Sequence, residues 1–456
     1  MKHHPLAVFV VCALSLGMFA MVATIARAGD AGSQTLITYD LAPTLGDDLN
    51  AAAGRNNAWA EVHLVAALQG LVNRHRPRLY VYYVTDDARQ PARIDRFWLA
   101  RLREPGGWLA QAPLLPVGTL EALVAHFRRD FRGVALYDLR VPATSNVAST
   151  VAGCDDLLPV PYDPTPGSVY DRLVAHGPQL PVRVRLLHPD GSPLFTGAET
   201  GSAKCDAYLW AKRRYLDTGK CDPTELAYYI DSWWLTAPTK AGPDCHGLSN
   251  HDYFVARKAF FFDLSPWEDE EPQDDPRQPL GADFRTLSAI LHSAYDRTHG
   301  KRMIHAGGFI PWAWKYTHTA GGRHGDVATE WRYAAILSCY NAYMDADALG
   351  LNAMANASLF ALFPRRSSYP QPKPGPADWA RAGDLDAAGR VTSYTYVTFY
   401  VGDYDSAAWL YQRLPDVWTD PARGPRKADV PLSSHAVRPR LSRRSSSGCA
   451  SASTRS

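Results

Sequence analysis

Short apolar runs alternate in this chain with stretches where apolar residues recur every third or fourth position, as they do when helices cover a parallel sheet. Leu36–Asp40, Leu79–Val84, Val134–Asp138 and Leu226–Asp231 read as strands. Leu64, Val65, Leu68, Leu71 and Val72 keep helical spacing between the first two runs. Leu120, Leu123, Val124 and Phe127 do so behind Thr119, whose hydroxyl suits a helix N-cap. The alternation resumes with Ala259–Asp263 as strand, 283–295 as helix with Leu287 and Leu291 in register, and Arg302–His305 as strand. Val327–Met344 reads as one long amphipathic helix. Tyr394–Val401 reads as a buried strand running into Gly402, Asp403, Tyr404 and Asp405. These elements predict an α/β protein: an N-terminal, Rossmann-like parallel-sheet domain over 29–240, then an α/β barrel-like or open-sheet domain over 241–424. The boundary falls in the Pro/Gly-rich stretch 236–243.

At 456 residues and 46% hydrophobic content the chain can bury a large core, and that size favours two domains. Lys2, the apolar run Leu6–Ile25 and then Ala26-Arg27-Ala28 read as a signal peptide over 1–28, so a secreted or periplasmic protein is expected; a retained anchor helix is the alternative. The net charge of +2 conceals an acidic body, since 425–456 carries +6, 1–28 carries +2 and 29–424 carries −6. No nucleic-acid partner is therefore expected, and because no segment after 28 is apolar enough to cross a bilayer, no membrane contact is expected after signal cleavage. The 425–456 segment is rich in Arg, Ser and Ala and lacks aromatic residues, the composition of a disordered basic tail; a shifted reading frame after Gly424 would produce the same composition. No two cysteines form a CxxC pair. Export permits disulfides, and Cys205 with Cys221 would close a short loop, although five body cysteines leave one over.

The chemistry-bearing residues gather in the second half. Asp403 and Asp405 lie at a strand's carboxyl end, where α/β proteins bind ligands, and residues two apart on a strand share a face with about 6.5 to 7 Å between Cα atoms. The same two acids would also suit a turn capping the next helix. Asp263, Glu270 and Glu330 are candidate partner acids. Trp267, Trp312, Trp314 and Trp331, with Asn356, are candidate substrate-binding groups. Indole faces stack on the C–H faces of a sugar, carboxylates and amides bond its hydroxyls, and glycosidic cleavage needs one carboxyl as acid and another as base or nucleophile. His246, His251, His305, His318 and His324 could join Asp403 and Asp405 around a metal, but no HxxxH or HExxH spacing fixes such a set, so no metal or cofactor is assigned. GxGxxG, GKS/T and GxSxG sequences are absent, which leaves a nucleotide site or a serine nucleophile without support.

Seven segments carry a likeness to a known family: Leu68–Asn73, Pro77–Tyr80, Ala143–Ala148, Ser202–Tyr208, Phe261–Pro266, Gly307–Trp312 and Met354–Ser358. In these the chain resembles the GxGYxYP family of glycoside hydrolases, which have an N-terminal and a C-terminal family domain. The likeness covers roughly residues 36–424 and implies a secreted protein acting on a polysaccharide or oligosaccharide. The heptapeptide that names the family does not occur in the chain, and the likeness ends where the basic tail begins. A non-catalytic glycan-binding protein and a metal-dependent carbohydrate hydrolase or deacetylase are the alternatives.

Overall fold

A computed structural model describes residues 34–46, 52–83, 93–229, 231–235, 250–308, 323–345, 355–365, 367–368, 375–393 and 407–420. The expected strand 394–401, Asp403, Asp405, Trp312, Trp314, His246, His318, the boundary stretch 236–243, the signal segment and the tail all lie outside the described residues.

The described strands are β1 (Leu36–Asp40), β2 (Leu79–Tyr82), β3 (Leu114–Val117), β4 (Val134–Tyr137), β5 (Leu158–Pro161), β6 (Val182–Arg185), β7 (Glu225–Tyr228), β8 (Phe260–Phe262), β9 (Ile304–Gly307) and β10 (Ala342–Asp345). They form three sheets, ordered β2-β1-β3, β5-β4-β6 and β10-β9-β7-β8, and every pairing is parallel. The protein is thus α/β. The four-stranded sheet has β10 and β8 as its edges among the described residues, the open-sheet form of the two expected. Its strands β7 and β8 are neighbours on either side of the expected 240/241 boundary, so both sides contribute to one sheet.

Thr119 is the N-cap of the helix Leu120–His126, its hydroxyl accepting from the Ala122 amide at 3.2 Å. The helix Ala282–Thr298 buries Leu287, Ile290, Leu291 and Ala294, a stripe with the i, i+3, i+4, i+7 spacing that faces a core. The segment read as one helix over 327–344 divides into the helix Asp326–Ser338 and strand β10. Asn341 breaks it with a φ of 52°, and Ala342–Asp345 then pairs along β9. β9 itself lies two residues beyond the predicted run and ends at Gly307, which places His305 inside the strand, opposite Glu225 and bonded to it at 2.9 Å.

The edge strands are sealed by side chains. On β2, Asn73 donates to the Leu79 carbonyl at 2.8 Å and accepts from the Leu79 amide at 2.9 Å. Asn356 does the same for Val81, accepting at 2.8 Å and donating at 2.9 Å, while Gln69 bridges Leu79 O and Asn356 Oδ1 at 3.1 and 2.6 Å. An unpaired strand edge buried away from water would cost the desolvation of each of these groups, and three amide side chains remove that cost. On β8, the Phe261 amide donates to Thr150 Oγ1 at 2.9 Å. Thr150 lies on the helix Ala143–Asp155, whose small residues are buried from Ala143 through Gly153. Another close approach occurs at Gly70, where a Cβ would stand 2.4 Å from the Asp252 carbonyl of the helix His251–Ala256.

The chain divides into two compact units, Met1–Phe363 with Asp405–Gln412, and Pro364–Tyr404 with Arg413–Ser456. All the strands named above lie in the first. In the second, the helix Pro376–Ala382 is closed by Gly383 at a φ of 80°, and a single antiparallel bridge joins Leu385 to Val391. No helix among the described residues is long and apolar enough to cross a membrane.

Cys221 does not neighbour Cys205. The Cys205 thiol sits near Asp283 Oδ1 and Gln278 Oε1 at 3.5 and 3.8 Å, whereas Cys221 Sγ lies 3.3 Å from Cys154 Sγ. Spacing along the chain suggested the former pair, but packing of the helix Ala143–Asp155 beside the turn before β7 decides for the latter.

Candidate functional site at the carboxyl edge of the four-stranded sheet

The carboxyl ends of β7, β8 and β9 converge on a buried, acid-rich cluster. Asp263, directly after β8, is 1% exposed and accepts from the Tyr228 hydroxyl at 2.6 Å and from the Asp231 amide at 3.4 Å. Burial, and then the Asp263 charge, hold the Tyr228 phenol well above its ordinary range, so it stays a donor. Asp231, after β7, is wholly buried, and its carboxylate accepts from the Trp233 amide at 3.0 Å. Tyr208 lies close enough to both acids that, after burial itself, their charges raise its pKa. Asn146 donates to the Tyr208 oxygen at 3.2 Å and to the Tyr229 carbonyl at 2.8 Å. β9 leaves the edge through Gly308, whose φ of 97° and 1.9 Å gap between an added Cβ and the Tyr228 carbonyl admit no side chain.

Beside these acids stands a buried ion-pair group. Lys204 Nζ bonds Asp283 at 2.7 Å and Asp274 at 3.0 Å, and Asp283 also accepts from the Ser265 amide at 2.9 Å. Burial pushes the Asp283 carboxyl up while Lys204 opposes the shift.

The loop after Asp263 packs on the start of the helix Asp326–Ser338. Trp267 lies flat on His324, ring centroids 3.4 Å apart and 10° between planes, and its Nε1 donates to Thr329 at 3.2 Å. His324 in turn bonds Asp269 at 2.9 Å, which holds the Asp269 carboxyl below the usual range, and Arg332 bonds Glu268 at 2.8 Å. Glu270 differs from its neighbours. It is 3% exposed, its Oε2 accepts from the Arg323 amide at 2.9 Å, and its Oε1 is buried without a hydrogen-bond partner among the described residues. Burial raises its pKa above the usual carboxylate value.

Of the residues expected from sequence, Asp263, Trp267 and Glu270 therefore share one loop, and Glu330 lies half-buried on the helix against which that loop packs. Trp331 on the same helix is 75% exposed and faces away from this packing. Asn356 is placed elsewhere, fully buried at the β2 edge with both amide atoms engaged by backbone and side chains, a structural position. The described histidines of the metal alternative have separate partners. His305 bonds Glu225, His324 bonds Asp269, and His251 packs against His63, Tyr229 and Phe261. Among the described residues no group of three or more His, Cys, Asp or Glu side chains is arranged to hold a metal.

Sequence reasoning passed over Asp231, Asn146, Lys204, Tyr208 and Asp283. Asp231 carried a usable signal as the last residue of a predicted strand. Asn146, Lys204 and Tyr208 lie inside Ala143–Ala148 and Ser202–Tyr208, two of the segments on which the family likeness rests, and Asp263 lies in a third, Phe261–Pro266.

The fold is that of an α/β protein with its polar cluster at the carboxyl edge of parallel strands. Residues 49–129 match the family model described as the GxGYxYP_N 1st domain. Over that stretch, which includes β2, β3 and the β2 edge residues Gln69 and Asn73, the chain is similar to the first domain of that family, while the acid cluster lies beyond it. No curated protein and no solved structure matches the chain.

Proposed function

We propose that this chain is a glycoside hydrolase, exported to the periplasm or medium, in which Glu270 is the general acid. The observation that carries the reading is the Glu270 carboxyl itself. It is buried, holds one oxygen on the Arg323 amide and leaves the other without a partner among the described residues, and it adjoins a stacked Trp267 and His324 pair. A carboxyl whose pKa is raised by burial suits protonation of a glycosidic oxygen, and a flat ring pair beside it suits the apolar face of a sugar. Asp263, held by Tyr228 and the Asp231 amide, acts as a positioning residue that fixes the end of β8 and the loop bearing Trp267 and Glu270. Asp403 and Asp405, which lie outside the described residues, are the carboxylates proposed from the sequence as base or nucleophile. The substrate is a polysaccharide or oligosaccharide.

Glu270→Gln preserves shape and removes the proton. Reducing-sugar release from a polysaccharide panel should fall by about 10²- to 10⁴-fold, with sugar binding retained. The basic limb of the kcat/KM profile should lie above the ordinary carboxylate range, in keeping with the raised Glu270 pKa. Hydrolysis unchanged in Glu270→Gln would end the assignment. Sugar binding with no product from the unaltered chain would support the glycan-binding alternative.

A further inference from the structure

Cys154 and Cys221 are brought together by elements that do not depend on them. Cys154 is the penultimate residue of the helix Ala143–Asp155, and Cys221 lies in the turn between the Lys212–Leu216 helix and β7. The two segments are clamped side by side by Asp155, which bonds Lys220 at 3.0 Å and accepts from the Tyr215 hydroxyl at 2.8 Å. Lys220 also stands 5.1 Å over the Tyr215 ring. Between these contacts the two sulfurs sit 3.3 Å apart. A disulfide needs about 2.05 Å, so closure asks for a shift of only about 1.2 Å, within reach of small side-chain rotations. The other described cysteines are placed differently, Cys205 buried against Asp283 and Gln278, and Cys339 exposed beside the Ala335 carbonyl.

We propose that Cys154 and Cys221 are a modification site that closes to a disulfide when the protein meets a thiol oxidant of the disulfide class, either a low-molecular-weight disulfide or the active-site disulfide of an oxidoreductase. Cys154, only half-buried, is the thiol that meets the oxidant, whereas Cys221 is 1% exposed. The Cys154 thiolate attacks one sulfur of the oxidant, breaks its S–S bond and releases one thiol. Cys221, having lost its proton to solvent, then displaces the second oxidant sulfur from Cys154. In total, two protein thiols lose two electrons and two protons, and one disulfide becomes two thiols. Burial opposes ionisation of Cys221, whereas the 3.3 Å separation of the sulfurs favours the intramolecular displacement. The bond ties the end of a helix that leads into β5 to the start of β7, and so links the β5-β4-β6 and β10-β9-β7-β8 sheets across a long loop.

The test uses the full chain incubated with oxidised glutathione, alkylated in denaturant and mapped without reduction. The expected result is a peptide pair joined through Cys154 and Cys221, about 2 Da lighter than the sum of its reduced parts. A rise in the thermal midpoint should accompany it and be absent from Cys154→Ser. Recovery of both cysteines as alkylated thiols, or a Cys205–Cys221 linkage, would overturn the proposal. The peptide map of the unaltered chain decides between these outcomes even if the serine variant does not fold.

Discussion

Two buried polar assemblies of the first unit follow opposite rules. At the β2 edge, neutral amides are matched to backbone: Asn73 and Asn356 each give a donor and an acceptor to one strand residue, and Gln69 links them. At the carboxyl edge of β7 and β8, acids accumulate instead. Asp274 and Asp283 share Lys204, Asp231 and Glu270 accept from backbone amides, Asp263 accepts from the Tyr228 hydroxyl, and burial raises the pKa values of Asp283 and Glu270. The first arrangement replaces water at little electrostatic cost and serves folding. The second costs stability, because desolvated carboxylates would be cheaper as apolar groups, and such a cost is characteristic of a site that does chemistry.

The contrast makes graded predictions. Lys204→Met leaves Asp274 and Asp283 buried without their cation and should cost about 3 to 5 kcal/mol in urea unfolding, partly restored by adding Asp283→Asn. A loss below about 1 kcal/mol would mean that the acid edge is solvated and the contrast false. Next, Asn356→Ala strips β2 of partners for both Val81 groups and should cost about 2 to 3 kcal/mol, while sugar binding by the folded fraction stays unchanged. A change in sugar affinity would return Asn356 to the binding residues.

The smallest effect concerns Asp95, which joins the two rules, since it lies beside Asn356 at 3.5 Å yet is a buried acid. It accepts from the Tyr83 amide at 2.6 Å and from the Tyr411 hydroxyl, and burial raises its pKa from 3.8 to about 7. Because the folded state holds this proton more tightly than the unfolded one, the contribution is full below pH 3.8 and declines as pH rises toward about 7. Relative to Asp95→Asn, the parent chain should lose stability on the order of 1 to 2 kcal/mol between about pH 4.5 and pH 6.5. A difference that is flat with pH would show that Asp95 is ionised in the fold.

Much of the strand pattern was legible in the sequence, and only part of the polar assemblies. Continuous apolar runs announced β1, β2, β4, β7 and β8, because a strand buried on both faces has no polar positions to interrupt it. β3 and β5 contain proline and β6 alternates Val with Arg, so each lost the signal that the others gave, and β10 was absorbed into the helical pattern before it. At the site, Asp263 and Glu270 were found because they stand beside aromatic residues in one loop. Lys204 and Asp283 belong to two different helices and meet only through packing, which no local spacing records. Asn356 was misleading for the same reason, since an amide beside a helix start looks alike whether it meets a sugar or a strand edge.

The helix Ala143–Asp155 belongs to two cores at once. Ala152 packs in the cluster around helix Ala52–Val72, while Ala143, Val147, Ala148 and Val151 pack in the one around β7 and β8. Because that helix also holds the Phe261 amide through Thr150, neither sheet can melt without stripping it of half its surroundings. The β5-β4-β6 and β10-β9-β7-β8 sheets are therefore coupled through this helix, so loss of one removes packing from the other.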